Sequence, residues 1–227
     1  MKVKLSETLL RDKEQLKKLP DTKSRITFIW DYYKALILLV LFILGILITV
    51  FISNIGRKDA CMYAVLFNSD SSIRETDTAI FDEVLKEAGY DMKGKTVDVN
   101  DKLSVGLSSD KTADIETMQV LTALFTISDL DLYVADQEYF DYFAEDGGYL
   151  DLSRVIEEEL LDKNKNDLYY FTDSKGNMIL SGIILHEGSV LHEAGFYHDD
   201  VIMGVVANAN NPDCAIAFIR QVLNDRK

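Results

Sequence analysis

The chain has 227 residues, 24 Lys and Arg against 38 Asp and Glu, and a formal net charge of −14. An acidic surface repels phosphates, so nucleic acid is not an expected partner. Two cysteines without a C-x-x-C motif give no sign of a catalytic thiol, and two prolines leave no proline-rich linker.

Residues 1–34 form a basic tail, with nine Lys or Arg against five Asp or Glu. Within it, SETLLRDKEQLKKL (6–19) predicts a helix capped by Ser6, with Leu9, Leu16 and Leu19 on a narrow face and Pro20 as the stop. Such a helix is solvated, lies on a membrane surface, or docks a cytoplasmic partner. Trp30, Tyr32 and Tyr33 come just before an apolar run, where amphipathic rings favour the headgroup layer.

That run, ALILLVLFILGILITVFI (35–52), holds eighteen residues without a charge, and Ser53, Asn54 and Ile55 extend it. Roughly twenty helical residues cross a ~30 Å hydrocarbon core. A core helix of a soluble domain carries a polar stripe, and this run has none. Residues 35–55 are therefore predicted to be a transmembrane helix that contacts the bilayer through residues 35–52. A secretory peptide has a shorter apolar region and a small-x-small cleavage site, which TVFISNIGRKD does not offer. Lys23, Arg25 and Lys34 precede the run and Arg57 and Lys58 follow it. With fifteen basic and thirty-three acidic groups after residue 34, the charge contrast places the N-terminus in the cytoplasm and the C-terminal part outside the cell. Gly45 is the only small interruption of consequence, so no small-xxx-small dimerisation motif is present.

Residues 58–227 are one domain's worth of sequence, without a repeat or an internal boundary. Residues 62–68 (MYAVLFN) read as a buried strand. Residues 77–88 place Ile80, Phe81, Val84, Leu85 and Ala88 on one helical face, ended by Gly89. A weak strand at 96–99 is followed by a helix over 112–126 that aligns Ile115, Met118, Leu121 and Phe125. A third strand covers 130–135, and Asp136 caps a short helix carrying Tyr139, Phe140 and Phe143. Ser153 is read as the cap of a helix running to about Leu161. Residues 168–171 and 178–185 read as a hairpin, and 201–207 (VIMGVVA) as a last buried strand. In the final helix Asn211 is the cap, Pro212 the first residue, and Ala215, Ile216, Ile219, Val222 and Leu223 the apolar face. Apolar strands alternating with amphipathic helices predict an α/β fold, a mostly parallel sheet covered on both faces in three layers.

Ligands of open α/β sheets bind beyond the carboxyl ends of the strands. That points to Asn68, Ser69 and Asp70 with the serines that follow, to Asp136, Glu138 and Tyr139, and to Asn208 and Asn210. Short polar groups beside an aromatic suit a small polar ligand, although turn and capping chemistry uses the same residues. His186, His192 and His198 are each followed by an acid, a composition that suits Zn²⁺ or a similar ion. A spacing of six does not put them on one helical face, and no H-E-x-x-H occurs. Cys61 and Cys214 permit one disulfide between the start of the domain and its last helix, or two buried thiols. No calcium loop, nucleophile elbow or phosphate loop is present, and no cofactor is expected.

Two stretches, LDLYVADQEYFDYFAEDGGYLDLSRVI (130–156) and VIMGVVANANNPDCAIAFIRQVL (201–223), resemble extracellular solute-binding proteins. The first is similar to their strand, aromatic-bearing helix and Gly-rich turn, the second to their return strand and Asn-Pro-capped helix packed on the first lobe. FIWDYYKALILL resembles the anchor of uncharacterised single-pass proteins of Gram-positive bacteria. Only about fifty residues separate the two stretches, and the lipoprotein cysteine is absent. The resemblance therefore implies a reduced, single-lobe relative. The expected function is a membrane-anchored extracellular binding or accessory module without catalytic activity, recognising a small polar ligand or an envelope protein. The alternatives are a membrane-tethered metal-dependent hydrolase built on the three histidines, or a purely structural envelope protein.

Overall fold

Side-chain alternation along the central strands decides which face of the sheet each residue serves, and from this the layers of the domain follow. The computed structural model describes residues 21–54, 58–70, 77–106, 111–172 and 176–226. The predicted tail helix over 6–19 lies outside them.

The N-terminal helix α1 is Thr22–Asn54. Its pieces Thr22–Asp31 and Tyr33–Thr49 are bent from one another by 77°. Among the described residues no single helix is long and apolar enough to cross a membrane, although the bent pair is by length and composition. From Leu38 to Leu44 every residue is at least 48% exposed, so apolar groups cover the whole circumference of the helix.

The domain that follows contains β1 (Asp59–Leu66), α2 (Ala79–Glu87), β2 (Lys95–Asn100), α3 (Lys111–Thr126), β3 (Leu132–Ala135) and α4 (Gln137–Ala144). After these come α5 (Glu158–Lys163), β4 (Leu168–Thr172), β5 (Met178–Leu185), α6 (Val190–Glu193), β6 (Val201–Val205) and α7 (Pro212–Asn224). The strands form one six-stranded sheet in the order β2-β1-β3-β6-β5-β4.

Pairing is parallel through β2, β1 and β3, as the alternation of strands and helices predicts. The other half is antiparallel: β6 runs against β3, β5 against β6, and β4 against β5. A parallel crossover needs a dozen or more residues, usually forming a helix that spans the sheet. Between β5 and β6 the backbone forms only the single turn of α6, so β6 starts at the edge where β5 stops.

One face of the sheet presents Met62, Ala64 and Leu66 of β1, Leu132 and Val134 of β3, and Met203 and Val205 of β6. These pack against Phe81, Val84 and Leu85 of α2 and the apolar face of α7. Phe81 stacks on Phe218 with ring centroids 4.9 Å apart. The opposite face presents Val65, Phe67, Tyr133, Ala135 and Ile202 to Leu121 and Phe125 of α3 and Phe140 and Phe143 of α4. The domain is therefore a three-layer α/β unit. Phe140 lies directly on the β5–β6 pair: a Cβ added at Gly204 would sit 2.8 Å from its ring and 2.7 Å from the Ser181 carbonyl oxygen. These contacts require glycine there.

Capping differs in detail from the sequence reading. Asp136 caps α4 as predicted, accepting from the Tyr139 amide. Asp151, not Ser153, holds the turn at Leu152–Arg154, and α5 starts later, at Glu158. Hydrogen bonding from Ser153 explains the exchange, because both its amide and its hydroxyl donate to the Asp151 carboxylate. Asn211 occupies the position before α7, but its side chain makes no cap bond. Its amide instead donates to Asp131 Oδ1 at 2.7 Å.

Asp131 is 1% exposed, and no basic side chain pairs with it among the described residues. Oδ2 accepts from the Tyr63 amide at 2.9 Å, while its own amide donates to the Tyr63 carbonyl and its carbonyl accepts from Val206. Truncation by Asp131→Ala removes the acceptor of two part-buried amides and is expected to cost about 3 kcal/mol of domain stability. Asp131→Asn keeps one acceptor and should lose about half of that. Denaturant unfolding measures both, and equal stability of the two variants would contradict this account.

Candidate functional site

Because β1 and β3 are parallel, their carboxyl ends share one edge of the sheet, and the backbone leaves each through polar residues. Asn68 adopts φ +54°, a conformation Asn tolerates better than most residues. Its Oδ1 accepts from the Val105 amide at 2.9 Å, and its Nδ2 donates to Asp136 Oδ2 at 3.3 Å. Ser69 is buried and donates to the Asp101 carbonyl at 2.8 Å. The Asp70 amide donates to the Phe196 carbonyl. Tyr139 packs edge-on to Phe67 with ring centroids 4.9 Å apart.

The antiparallel course of β6 changes the membership of this rim. Its amino end arrives here, bringing Tyr197 and His198. Tyr197 Oη lies 3.0 Å from the Phe67 carbonyl and 3.2 Å from that of Val134, and His198 Nε2 lies 3.7 Å from Asp70 Oδ2. Its carboxyl end leaves at the opposite edge, so Asn208 and Asn210 do not belong with Asn68 and Asp136. Asn208 Nδ2 donates to the Phe125 carbonyl at 2.9 Å, at the end of α3. The rim of Asn68, Ser69, Asp70, Asp136 and Tyr139 is thus largely closed by its own hydrogen bonds.

Of the predicted rim residues, Tyr139 lines an open groove of about 520 Å³. Val105, Gly106, Asp114, Ile115, Met118, Gln119, Thr122 and Tyr142 complete its walls. The sequence aligned Ile115 and Met118 with the core residues Leu121 and Phe125. The structure buries the latter two and leaves Ile115 58% exposed. Tyr142 on α4 is also 58% exposed. Asp114 Oδ1 accepts from the Gly106 amide at 2.9 Å and fixes the loop that closes one end. The groove is an apolar trough between two helices with polar groups on its margin.

The three histidines do not come together. His186, in the turn after β5, places Nδ1 2.8 Å from Asp200 and Nε2 3.4 Å from Asp167, which also pairs with Arg226. His186, Asp167 and Arg226 border a second cavity, about 540 Å³, with Glu187 and Glu193. His192, on α6, has Nε2 2.8 Å from the Asp199 carbonyl and Nδ1 2.7 Å from Ser189 Oγ. A carbonyl only accepts, so Nε2 carries the proton and, in the neutral ring, Nδ1 accepts from Ser189. His198 meets Asp70 on the rim. No group of three or more His, Cys, Asp or Glu suited to a metal ion occurs among the described residues. His186, His192 and His198, which the alternative hydrolase reading would bring together, lie in a turn, a helix and a pre-strand loop that point the rings to separate partners.

Cys61 and Cys214 are buried as thiols, with Cys214 Sγ 3.3 Å from Cys61 Sγ. Of the two readings of this pair, the structure holds the unbridged one and brings the sulfurs into contact. Sequence reasoning missed the part Asp131 plays as an acceptor of backbone amides, the place of Tyr197 on the rim and the exposure of Ile115. An acid at the head of an apolar strand was the only available signal for Asp131. No protein-family model, no curated protein and no solved structure matches the chain.

Burial first, then nearby acidic and phenolic groups, raise Tyr133, Tyr149 and Tyr197 well above the usual tyrosine range. A raised folded pKa means that stability is complete below the unfolded value, about 10, and is lost as pH rises beyond it. These three tyrosines should ionise only together with unfolding, so their share of the tyrosinate absorbance should appear in the same step as the loss of near-ultraviolet circular dichroism. Reversible ionisation of all tyrosines near pH 10 in a folded protein would contradict it.

Proposed function

We propose that this protein is a membrane-anchored, non-enzymatic accessory module with a cytoplasmic N-terminus. Its outer α/β domain presents the groove between α3 and α4 to an envelope protein. The observation that carries the reading is the groove itself: Ile115 and Tyr142 are more than half exposed on adjacent helices, above Met118 and Tyr139. Apolar groups of this kind, clustered in a trough with a polar margin, are what protein recognition uses. The rim argues in the same direction. Asn68, Ser69 and Asp136 spend their hydrogen-bonding groups on one another and on the backbone, which disfavours a small polar ligand there.

Anchoring is supported by the uncharged run 35–52 and by the exposure of apolar groups all round α1, which water solvates poorly. The basic tail and the acidic remainder support the orientation. A reduced relative of a solute-binding lobe fits the position of β6 beside β3 and the packing of α7 on α2, the arrangement the resemblance implies. The residues beyond position 34 carry about eighteen excess negative charges, from thirty-three acidic and fifteen basic groups. The occupant is therefore an apolar segment with basic flanks.

A photo-crosslinking residue placed at Ile115 or Tyr142 in the full-length protein should capture one partner in native membranes. The same residue at Met178, 70% exposed on β5, should not. Ile115→Asp should abolish capture from position 142 while changing stability by no more than about 0.5 kcal/mol, since the site is exposed. Equal capture from 142 and 178, or capture unaffected by Ile115→Asp, would overturn the reading.

A further inference from the structure

Cys61 and Cys214 lie 153 residues apart in sequence, yet their sulfurs are 3.3 Å apart. The contact depends on an irregularity in β1. Along the β1–β2 pair Ala60 faces Thr96 and Met62 faces Val97, so Cys61 is an extra residue in a β-bulge. Strict alternation would put Cys61 and Met62 on opposite faces of the sheet. The bulge instead brings both into the same core cluster, the one that receives α7. Cys214 lies in the first turn of α7, fully buried, and Cys61 is 6% exposed. Met92 Sδ lies 3.8 Å from Cys61 Sγ, and the Tyr90 side chain hydrogen-bonds Cys214.

We propose that Cys61 and Cys214 are a redox-controlled clamp, forming a disulfide that fastens the start of α7 to β1. A covalent S–S bond is about 2.05 Å, so closure asks the sulfurs to approach by about 1 Å. The oxidant is a small or protein disulfide such as oxidised glutathione. One cysteine thiolate attacks a sulfur of that disulfide and releases one thiolate of it, giving a mixed disulfide. The second cysteine then attacks the mixed disulfide, and the second glutathione thiolate leaves. Two protein thiols are oxidised, one external disulfide is reduced to two thiols, and the two protons go to the released thiolates. Burial first, and then the neighbouring Cys61, push the Cys214 thiol up. Thiolate is accordingly scarce in the closed fold, and exchange proceeds when the first turn of α7 opens or while the protein folds. The clamp is independent of what occupies the groove.

The test uses the full-length protein in detergent micelles, unfolded and refolded with oxidised glutathione or with excess dithiothreitol, then alkylated under denaturing conditions and weighed intact. Oxidised molecules should carry no alkyl group and reduced ones two. The oxidised form should melt about 10 °C higher, as expected for closing a loop of this length in a protein of this size. Cys61→Ala and Cys214→Ala should each melt at one temperature with or without dithiothreitol. Should either variant fail to fold, the wild-type difference still decides. Two alkylated cysteines after refolding with the oxidant, or a bridged form that melts no higher than the reduced one, would overturn the proposal. Neither result touches the crosslinking experiment on the groove.

Discussion

The architecture depends on a buried carboxylate held without a cation. Asp131 sits where β3 begins, and its two oxygens bind the amide of Tyr63 on β1 and the amide of Asn211 ahead of α7. A lone buried charge is costly unless its lone pairs are filled. Here backbone amides do that, and the N-terminal end of α7 faces the charge with its favourable dipole. One side chain therefore fixes the β1–β3 pair and the point at which α7 starts. With that start fixed, Phe218 meets Phe81, and Cys214 arrives opposite Cys61.

The second constraint is the direction of β6. The segment after β5 is too compact to carry the backbone back across the sheet, so β6 runs against β3 and its two ends exchange edges. The exchange removes Asn208 from the rim and supplies Tyr197, whose hydroxyl reaches carbonyls at the ends of both β1 and β3. A rim shaped to receive a polar ligand would leave such carbonyls and the Asn68 amide facing outward. This one closes on itself, and what remains open lies between α3 and α4.

The fold was legible where periodicity alone decides. Phe81, Val84 and Leu85 recur at helical spacing and are buried, and the apolar face read for α7 is buried throughout apart from partial exposure of Ala217 beside it. What was illegible depends on partners distant in sequence. Strand periodicity is two whether the neighbour is parallel or antiparallel, so VIMGVVA could not reveal its direction. The stripe of Ile115, Met118, Leu121 and Phe125 is continuous, but where the sheet beneath it ends is a property of β1 and β3. Asn211 has the composition of a cap, yet Asp131 takes its amide and the side chain is not used. A bulge at Cys61 leaves no mark in the sequence, although it decides which face the thiol joins.

Charge and the groove together narrow the kind of partner. Two copies of a domain this acidic repel one another at the distances where docking begins, within a Debye length of about 8 Å at physiological ionic strength. An apolar trough on such a surface is thus protected against self-association while it remains open to a segment of opposite charge. Nine residues line the trough, against roughly twenty to thirty on each side of a standard protein interface, so a contact confined to it is weak for molecules free in solution. In the function proposed above both partners are tethered to one membrane, and the second encounter then occurs at an effective concentration set by the anchors. A groove too small to hold a soluble partner is sufficient for one already confined beside it.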